Sequence, residues 1–218
     1  MEQTILKANY EVFYREYRRA HLYIVNGEEY PSVTKILGII GGDKAGALMG
    51  WAKKTSVEMM GKALTEKLGQ SVPIDQAFID WLKIEAKKEP DKVKDAAADI
   101  GSRVHQAIDD FIMGKPVILD PDADNAYQAF QTWFKANNLE FISGDLPVAS
   151  VRYKFGGRLD AIAKEGNKIV LMDWKTSNAL RDEYPLQVAM YALALEETYS
   201  IKPSRAYVVR FGKDIPEV

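Results

Sequence analysis

Not one cysteine occurs among the 218 residues. Disulfides are therefore excluded, and the composition suits a reducing cytoplasm. Histidine is scarce, with 2 copies. No apolar run is long enough to cross a bilayer, and the opening Met1-Glu2-Gln3-Thr4 lacks a charged-then-apolar signal segment, so no membrane association is expected. There is no G-x-x-x-x-G-K-[ST] loop, hence no phosphate cradle for an attached ATPase or helicase module. There is no G-x-S-x-G elbow, internal repeat or low-complexity tract. Net charge is only −2, so the chain as a whole does not attract nucleic acid, and any such affinity must come from a local basic groove.

What is present fits one domain with an elaborated helical part. The hydrophobic fraction of 47% is ordinary for a globular chain. The pair Asn26-Gly27 predicts a two-residue hairpin within 22–30. A short helix is expected over 32–40, broken by Gly41-Gly42, with Asp43 as the next cap. Helices are expected over 43–68 and 75–88, an interruption at Pro90, and a helix over 91–111 ended by Gly114 and Pro116. Another follows over 120–137. Strands are expected near 139–142, 148–155, 158–163 and 168–174, then a helix over 182–199 and a strand over 206–211.

The densest chemistry lies between Gly156 and Tyr191. Lys168-Ile-Val-Leu-Met-Asp-Trp-Lys175 is an apolar strand ending in charge. Glu165-Gly166-Asn167 before it reads as a turn, with Arg158-Leu-Asp-Ala-Ile-Ala163 as the other arm of a hairpin. Side chains alternate along a strand, so Asp173 and Lys175 share one face and Trp174 takes the other. Asp160 can reach the same face from the partner arm. Two carboxylates held together repel unless a cation lies between them. Magnesium resolves this, because it takes oxygen ligands and often uses only one or two protein carboxylates. It would also lower the pKa of a bound water and neutralise a phosphoryl group. Lys175 would hold the attacking water or a phosphate oxygen. The backbone carbonyl of Trp174 is a further candidate ligand. The alternative is a surface hairpin carrying an ordinary ion pair, which would contribute little. Against it, Asp173 ends a strongly apolar strand, where an unpaired charge is costly. Downstream, Gln187 and Tyr191 lie one helical turn apart on one face, as a polar border or as hydrogen-bonding groups aimed at the site.

Asp160, Asp173-Trp174-Lys175, Gln187 and Tyr191 together resemble the active-site signature of the PD-(D/E)XK nucleases, specifically the RecB-like, Cas4-like exonuclease branch with its Gln-x-x-x-Tyr helix. The resemblance implies an α/β fold, the restriction-endonuclease-like core with a mixed central sheet flanked by helices and an N-terminal helical elaboration. Residues 1–100 would form a hairpin and a helical arch or wall, and 101–218 the nuclease core. A histidine on an earlier helix joins the metal site in such enzymes, and Gly101-Ser-Arg-Val-His105 fits that element. An imidazole ligand suits manganese better than magnesium, so either ion is expected as cofactor. The absence of cysteine excludes the iron–sulfur cluster that some relatives carry.

Pro31-Ser32-Val33-Thr34-Lys35 is similar to a segment of phage exonucleases and of mitochondrial genome maintenance exonucleases. Ser32 or Thr34 can cap the next helix, and Ser32, Thr34 and Lys35 can also hold DNA phosphate at its N-terminus. Arg158 and Ser177 are counted with them as nucleic-acid contacts. One departure is noted: the acid that precedes the first core strand in many relatives is represented here by Asp145. His21 is read as structural. Lys83, Lys87, Lys88, Lys92 and Lys94 form either a solvated helix face or a basic patch. Tyr10, Tyr14, Tyr17 and Tyr23, interleaved with Arg15, Arg18 and Arg19, either pack or stack on unpaired bases.

The implied function is a magnesium- or manganese-dependent deoxyribonuclease, an exonuclease on DNA ends or single strands in recombination, repair or replication. The other readings are a nucleic-acid-binding module without catalysis and a structure-specific endonuclease.

Overall fold

A computed structural model describes residues 6–17, 20–40, 44–70, 74–215 and 217–218. Met1–Thr4, Arg18, Arg19 and Gly41–Asp43, together with the side chain of Tyr17, lie outside the described residues. The chain divides into two units, Met1–Ile40 with Gly101–Val218, and Gly41–Ile100.

The first unit begins with a small antiparallel sheet, β1 (Val12–Tyr17), β2 (Ala20–Val25) and β3 (Glu28–Pro31). Asn26 and Gly27 both take positive φ, 51° and 82°, the geometry a two-residue hairpin turn requires. Helix α1 (Val33–Ile40) follows at once. The Ser32 hydroxyl accepts the Lys35 N–H at 3.1 Å, so Ser32 is its cap. Helices α2 (Lys44–Thr65) and α3 (Gln76–Ile112) come next, then α4 (Pro121–Ala136).

The central sheet has four strands in the order β4 (Leu139–Ser150), β5 (Phe155–Glu165), β6 (Lys168–Lys175) and β7 (Arg205–Arg210), with α5 (Glu183–Tyr199) between the last two. β4, β5 and β6 are antiparallel, and β6 and β7 are parallel. The sheet is thus mixed, as expected. One core packs α1 and α5 on the sheet through Leu37, Val148, Ile162, Leu171, Val188 and Leu195. An aromatic cluster forms around Trp174, which is fully buried. Phe130 and Trp133 of α4 lie 5.9 and 5.6 Å from its ring, and Phe211 lies 5.7 Å away. Removing an aromatic residue from such a site costs about 3–5 kcal/mol.

Two expectations need correction. The strand expected at 139–142 and the start of that expected at 148–155 are one strand, β4, which ends at Ser150; residues 151–154 turn and Phe155 opens β5. The stretch between the two expected strands, Ser143–Pro147, is absorbed by a bulge between Phe141 and Ser143 and by a left-handed Asp145, with φ of 49°. Pro147 is tolerated because β4 is an edge strand. The second correction is Pro90, which lies inside the continuous α3 rather than ending a helix. Proline cannot donate to the carbonyl four residues back, that of Ala86. The Ser56 hydroxyl of α2 donates to the Ala86 carbonyl instead, at 2.7 Å. In this second unit the lysine run is partly tied to acids of its own helix, Lys88 and Lys92 to Glu85 at 3.2 and 2.5 Å and Lys83 to Asp80 at 3.7 Å, as a solvated face would be. Among the described residues no helix is long and apolar enough to cross a membrane.

Candidate active site

The site forms where β5 and β6 part. Their pairing runs from Glu165↔Lys168 to Ala161↔Met172 and stops there. Ile162 and Leu171 face each other in register. Alternation then puts Asp160, Asp173 and Lys175 on the Ile162–Leu171 face and Trp174 on the other. Past the last pair, a carboxylate replaces the ladder: Asp160 Oδ2 accepts the Trp174 N–H at 2.6 Å. In an extended strand the N–H and C=O of one residue point to the same side. The Trp174 carbonyl is thereby directed toward the Asp160 side, while the Lys175 carbonyl accepts the Phe211 N–H on the β7 side at 2.8 Å.

Helix α3 enters from the other direction. Gly101 lets it approach the end of β6, since a Cβ there would come 2.9 Å from Thr176 Oγ1. One turn later, His105 Nδ1 sits 3.2 Å from Asp160 Oδ1. Lys175 forms an ion pair with Asp173 and lies 4.9 Å from the Tyr184 ring centre. Asp173 is 2% exposed, and its Oδ2 has no well-directed hydrogen bond despite that pairing. Helix α5 lies against the same region. Gln187 Nε2 donates to Tyr191 Oη at 3.0 Å, and both side chains are buried. The Gly156-Gly157 pair makes room: a Cβ at Gly157 would fall 2.4 Å from the Tyr191 ring, and one at Gly156 2.3 Å from Tyr23.

The electrostatics follow from this crowding. Burial pushes the Asp173 carboxyl up to about 6, and Asp160 beside it pushes the same way. Burial also works against the Asp160 carboxylate, but His105, with Lys175 and the Trp174 N–H, outweighs it and holds that group below its ordinary range. His105 is lowered by burial and raised more by Asp160 and by the hydrogen bond between them. Burial raises the Tyr191 hydroxyl, which stays protonated.

The donor set suits a hard divalent cation. Two adjacent, largely buried carboxylates call for positive charge, and an imidazole stands beside them. Among the described residues no three such side chains already converge on one point. The cations now on the carboxylates are the protein's own, Lys175 on Asp173 and His105 on Asp160. A metal would be held by Asp160, Asp173, the Trp174 carbonyl and His105, once those pairs loosen.

The remaining candidates lie elsewhere. Asp145 is level with Asp160, between the pairs Gly144↔Ala161 and Leu146↔Leu159, but its carboxylate is engaged by Arg158. Ser32 bridges to Gly156 and its hydroxyl serves the helix cap, while Thr34 and Lys35 are exposed on the first turn. Ser177 donates to the Ala179 carbonyl at 2.8 Å and its oxygen lies 3.0 Å from Tyr184 Oη, which links it to the ring beside Lys175. Sequence reasoning missed Asp109. It follows His105 by one helical turn, its Oδ1 would lie 3.0 Å from a Cβ at Gly144, and burial with Asp145 and Asp160 pushes it up to about 7. The spacing of four from His105 was the available signal. Tyr184 was missed too, and no pattern marked it.

Residues 127–217 match the sequence profile of the PD-(D/E)XK nuclease superfamily. This segment holds most of α4, the central sheet and α5, so the match falls on the part of the chain that carries the candidate site. Nucleases of that superfamily generally use divalent metal ions. The chain is also similar to an ATP-dependent helicase/nuclease component of Streptococcus pyogenes, 28% identical over 162 residues in serotypes M12 (strain MGAS2096), M28 (strain MGAS6180) and M49 (strain NZ131). The match covers 58% of this chain and 13% of each relative, so the chain spans a small part of the relatives' length. This likeness agrees with the RecB-like branch inferred from the motifs.

Proposed function

We propose that the chain is a divalent-metal-dependent deoxyribonuclease, acting as an exonuclease on DNA ends or single strands in recombination, repair or replication. The observation that carries this is the placing of two paired carboxylates, Asp160 with His105 and Asp173 with Lys175, where β5 and β6 separate. When bound, magnesium or manganese supplies Lewis acidity and a water of lowered pKa. Asp160 and Asp173 hold it, with the Trp174 carbonyl beside them. His105 is the nitrogen ligand, which favours manganese more than an all-oxygen set would. Lys175, released from Asp173, donates to the attacking water or to a phosphate oxygen as negative charge builds. Gln187 and Tyr191 hold the α5 side of the pocket and offer donors to the phosphate. Thr34, Lys35, Arg158 and Ser177 contact the rest of the strand. Asp145 is left outside the ligand set because Arg158 engages it.

The test is cleavage of end-labelled DNA with purified protein. Activity should vanish in excess EDTA and return with magnesium or manganese. Lys175→Ala should lower turnover by roughly 10²-fold or more while DNA binding persists. Undiminished cleavage in EDTA would sink the metal reading. Wild type as inert as Lys175→Ala on every DNA would make the chain a binding module.

A further inference from the structure

A row of rings leads from the core of the small sheet toward the candidate site. In that sheet Tyr23 lies opposite Tyr14 on one side and Tyr30 on the other. Tyr23 and Tyr30 are 3% exposed, packed with Ala149. Tyr14 is half-buried and His21 is exposed, so the row continues into solvent. The Tyr14 and His21 rings are stacked, 5.5 Å apart and inclined by 24°, and Tyr14 Oη lies 2.5 Å from His21 Nδ1. Two side chains joined in this way behave as one plate. The Arg158 guanidinium lies over Tyr14, 4.7 Å from the ring centre, and pairs with Asp145. Strand alternation ties this plate to the chemistry: Arg158 precedes Asp160 by two residues on β5, on the same face and about 6–7 Å away.

We propose that Tyr14, His21 and Arg158 form a subsite for one unpaired nucleotide next to the scissile bond, with its base on the rings and its phosphate on the guanidinium. This rests on the nuclease reading above and names the substrate class it takes. Packing alone explains Tyr23 and Tyr30, which are buried. It does not explain an exposed imidazole stacked on a tyrosine at the edge of the catalytic face. Aromatic plates accept any base, because every base has a π-face, and the base must be unstacked to reach them. Arginine matches phosphate with a rigid fork of donors. Asp145 occupies that fork now, as a carboxylate standing in for phosphate oxygens. An incoming phosphate exchanges with it, so Asp145 screens the subsite until a strand arrives. A paired duplex end cannot use the plate without losing its own stacking.

The test is binding by the full chain in EDTA, where the proposed chemistry is stopped. Two fluorescent probes of equal length are compared, a deoxythymidine single strand and a strand of deoxyribose phosphates without bases. Tyr14→Leu should weaken binding to the first about tenfold, the scale of one stacked base, and leave the second unchanged. Tyr14→Phe keeps the ring but loses the bond to His21, and should retain most of the binding to the first probe that Tyr14→Leu loses. Arg158→Gln should weaken both probes alike. His21→Ala alters an exposed ring and answers the same question should Tyr14→Leu not fold; its loss should be confined to the probe with bases. Equal losses on both probes in the ring variants would make the rings packing only, and no loss on either would remove the subsite. Cleavage by the wild type in magnesium or manganese is measured in parallel. Normal cleavage with unaffected ring variants overturns the subsite and spares the nuclease reading. A wild type that neither binds nor cleaves overturns both.

Discussion

Asp109 is the carboxyl that sets how this site responds to acidity. Its ordinary value of 3.8 is moved up to about 7 in the folded chain, by burial and then by Asp145 and Asp160. Between those values the folded protein holds a proton that the unfolded chain has lost. Stability therefore falls as pH rises from about 4 to about 7. Asp173, raised to about 6, adds a loss in the same direction. The His105–Asp160 pair does so as pH passes the raised value of the imidazole. Asp109→Asn retains the shape and removes one contribution. In chelator, its unfolding free energy should vary less steeply with pH and exceed that of the wild type above pH 7 by on the order of 1 kcal/mol, allowing for the solvent that reaches the group. Urea unfolding across this range checks it, and parallel curves for the two proteins would refute it. Asp109 also shows where reading residues one at a time ran short. Asp160, Asp173 and Lys175 advertise themselves by ending or flanking apolar strands. Asp109 looks like any acid on a helix until β4 brings Gly144 against it.

Among the elements, those with strong periodicity or turn chemistry were legible. The Asn26-Gly27 hairpin, the β6 strand and the Gln187 helix lie close to where their sequences put them. The misses share one cause, a tertiary partner that answers a local signal. Pro90 reads as a helix end, yet the carbonyl it leaves without a donor is taken up by Ser56, 30 positions away. Asp145 and Pro147 lie between two strands expected separately, yet an edge position accommodates both within one strand. The first of these is testable by a double-mutant cycle. Ser56→Ala alone strands a carbonyl and should cost about 1–2 kcal/mol. In a Pro90→Ala background the helix supplies its own N–H, so the same change should be close to neutral. Equal costs in both backgrounds, measured by thermal unfolding, would show that Ser56 does not compensate the proline.

At the scale of the whole molecule, the net charge of −2 leaves binding to local features rather than to a broad field. The proposed preference for ends and unpaired strands then has a direct readout. In magnesium or manganese, linear single-stranded DNA should disappear faster than a covalently closed single-stranded circle of the same sequence. The comparison is read on a denaturing gel over a time course. Circles cut at the rate of linear strands would make the chain an endonuclease and leave the site chemistry standing.

The fixed alternation of β6 has one more consequence. Trp174 sits between Asp173 and Lys175 in the chain and is enclosed by Phe130, Trp133, Phe141 and Phe211 on the opposite side of the sheet. A slip of one residue would exchange the two faces, driving a carboxylate and an ammonium among aromatic rings and the indole into the polar cleft. Such a misalignment is too costly to persist, so the hydrophobic interior fixes the register of the proposed site residues during folding. Mutational drift can change what stands at positions 173 and 175, but it cannot move the site along the strand.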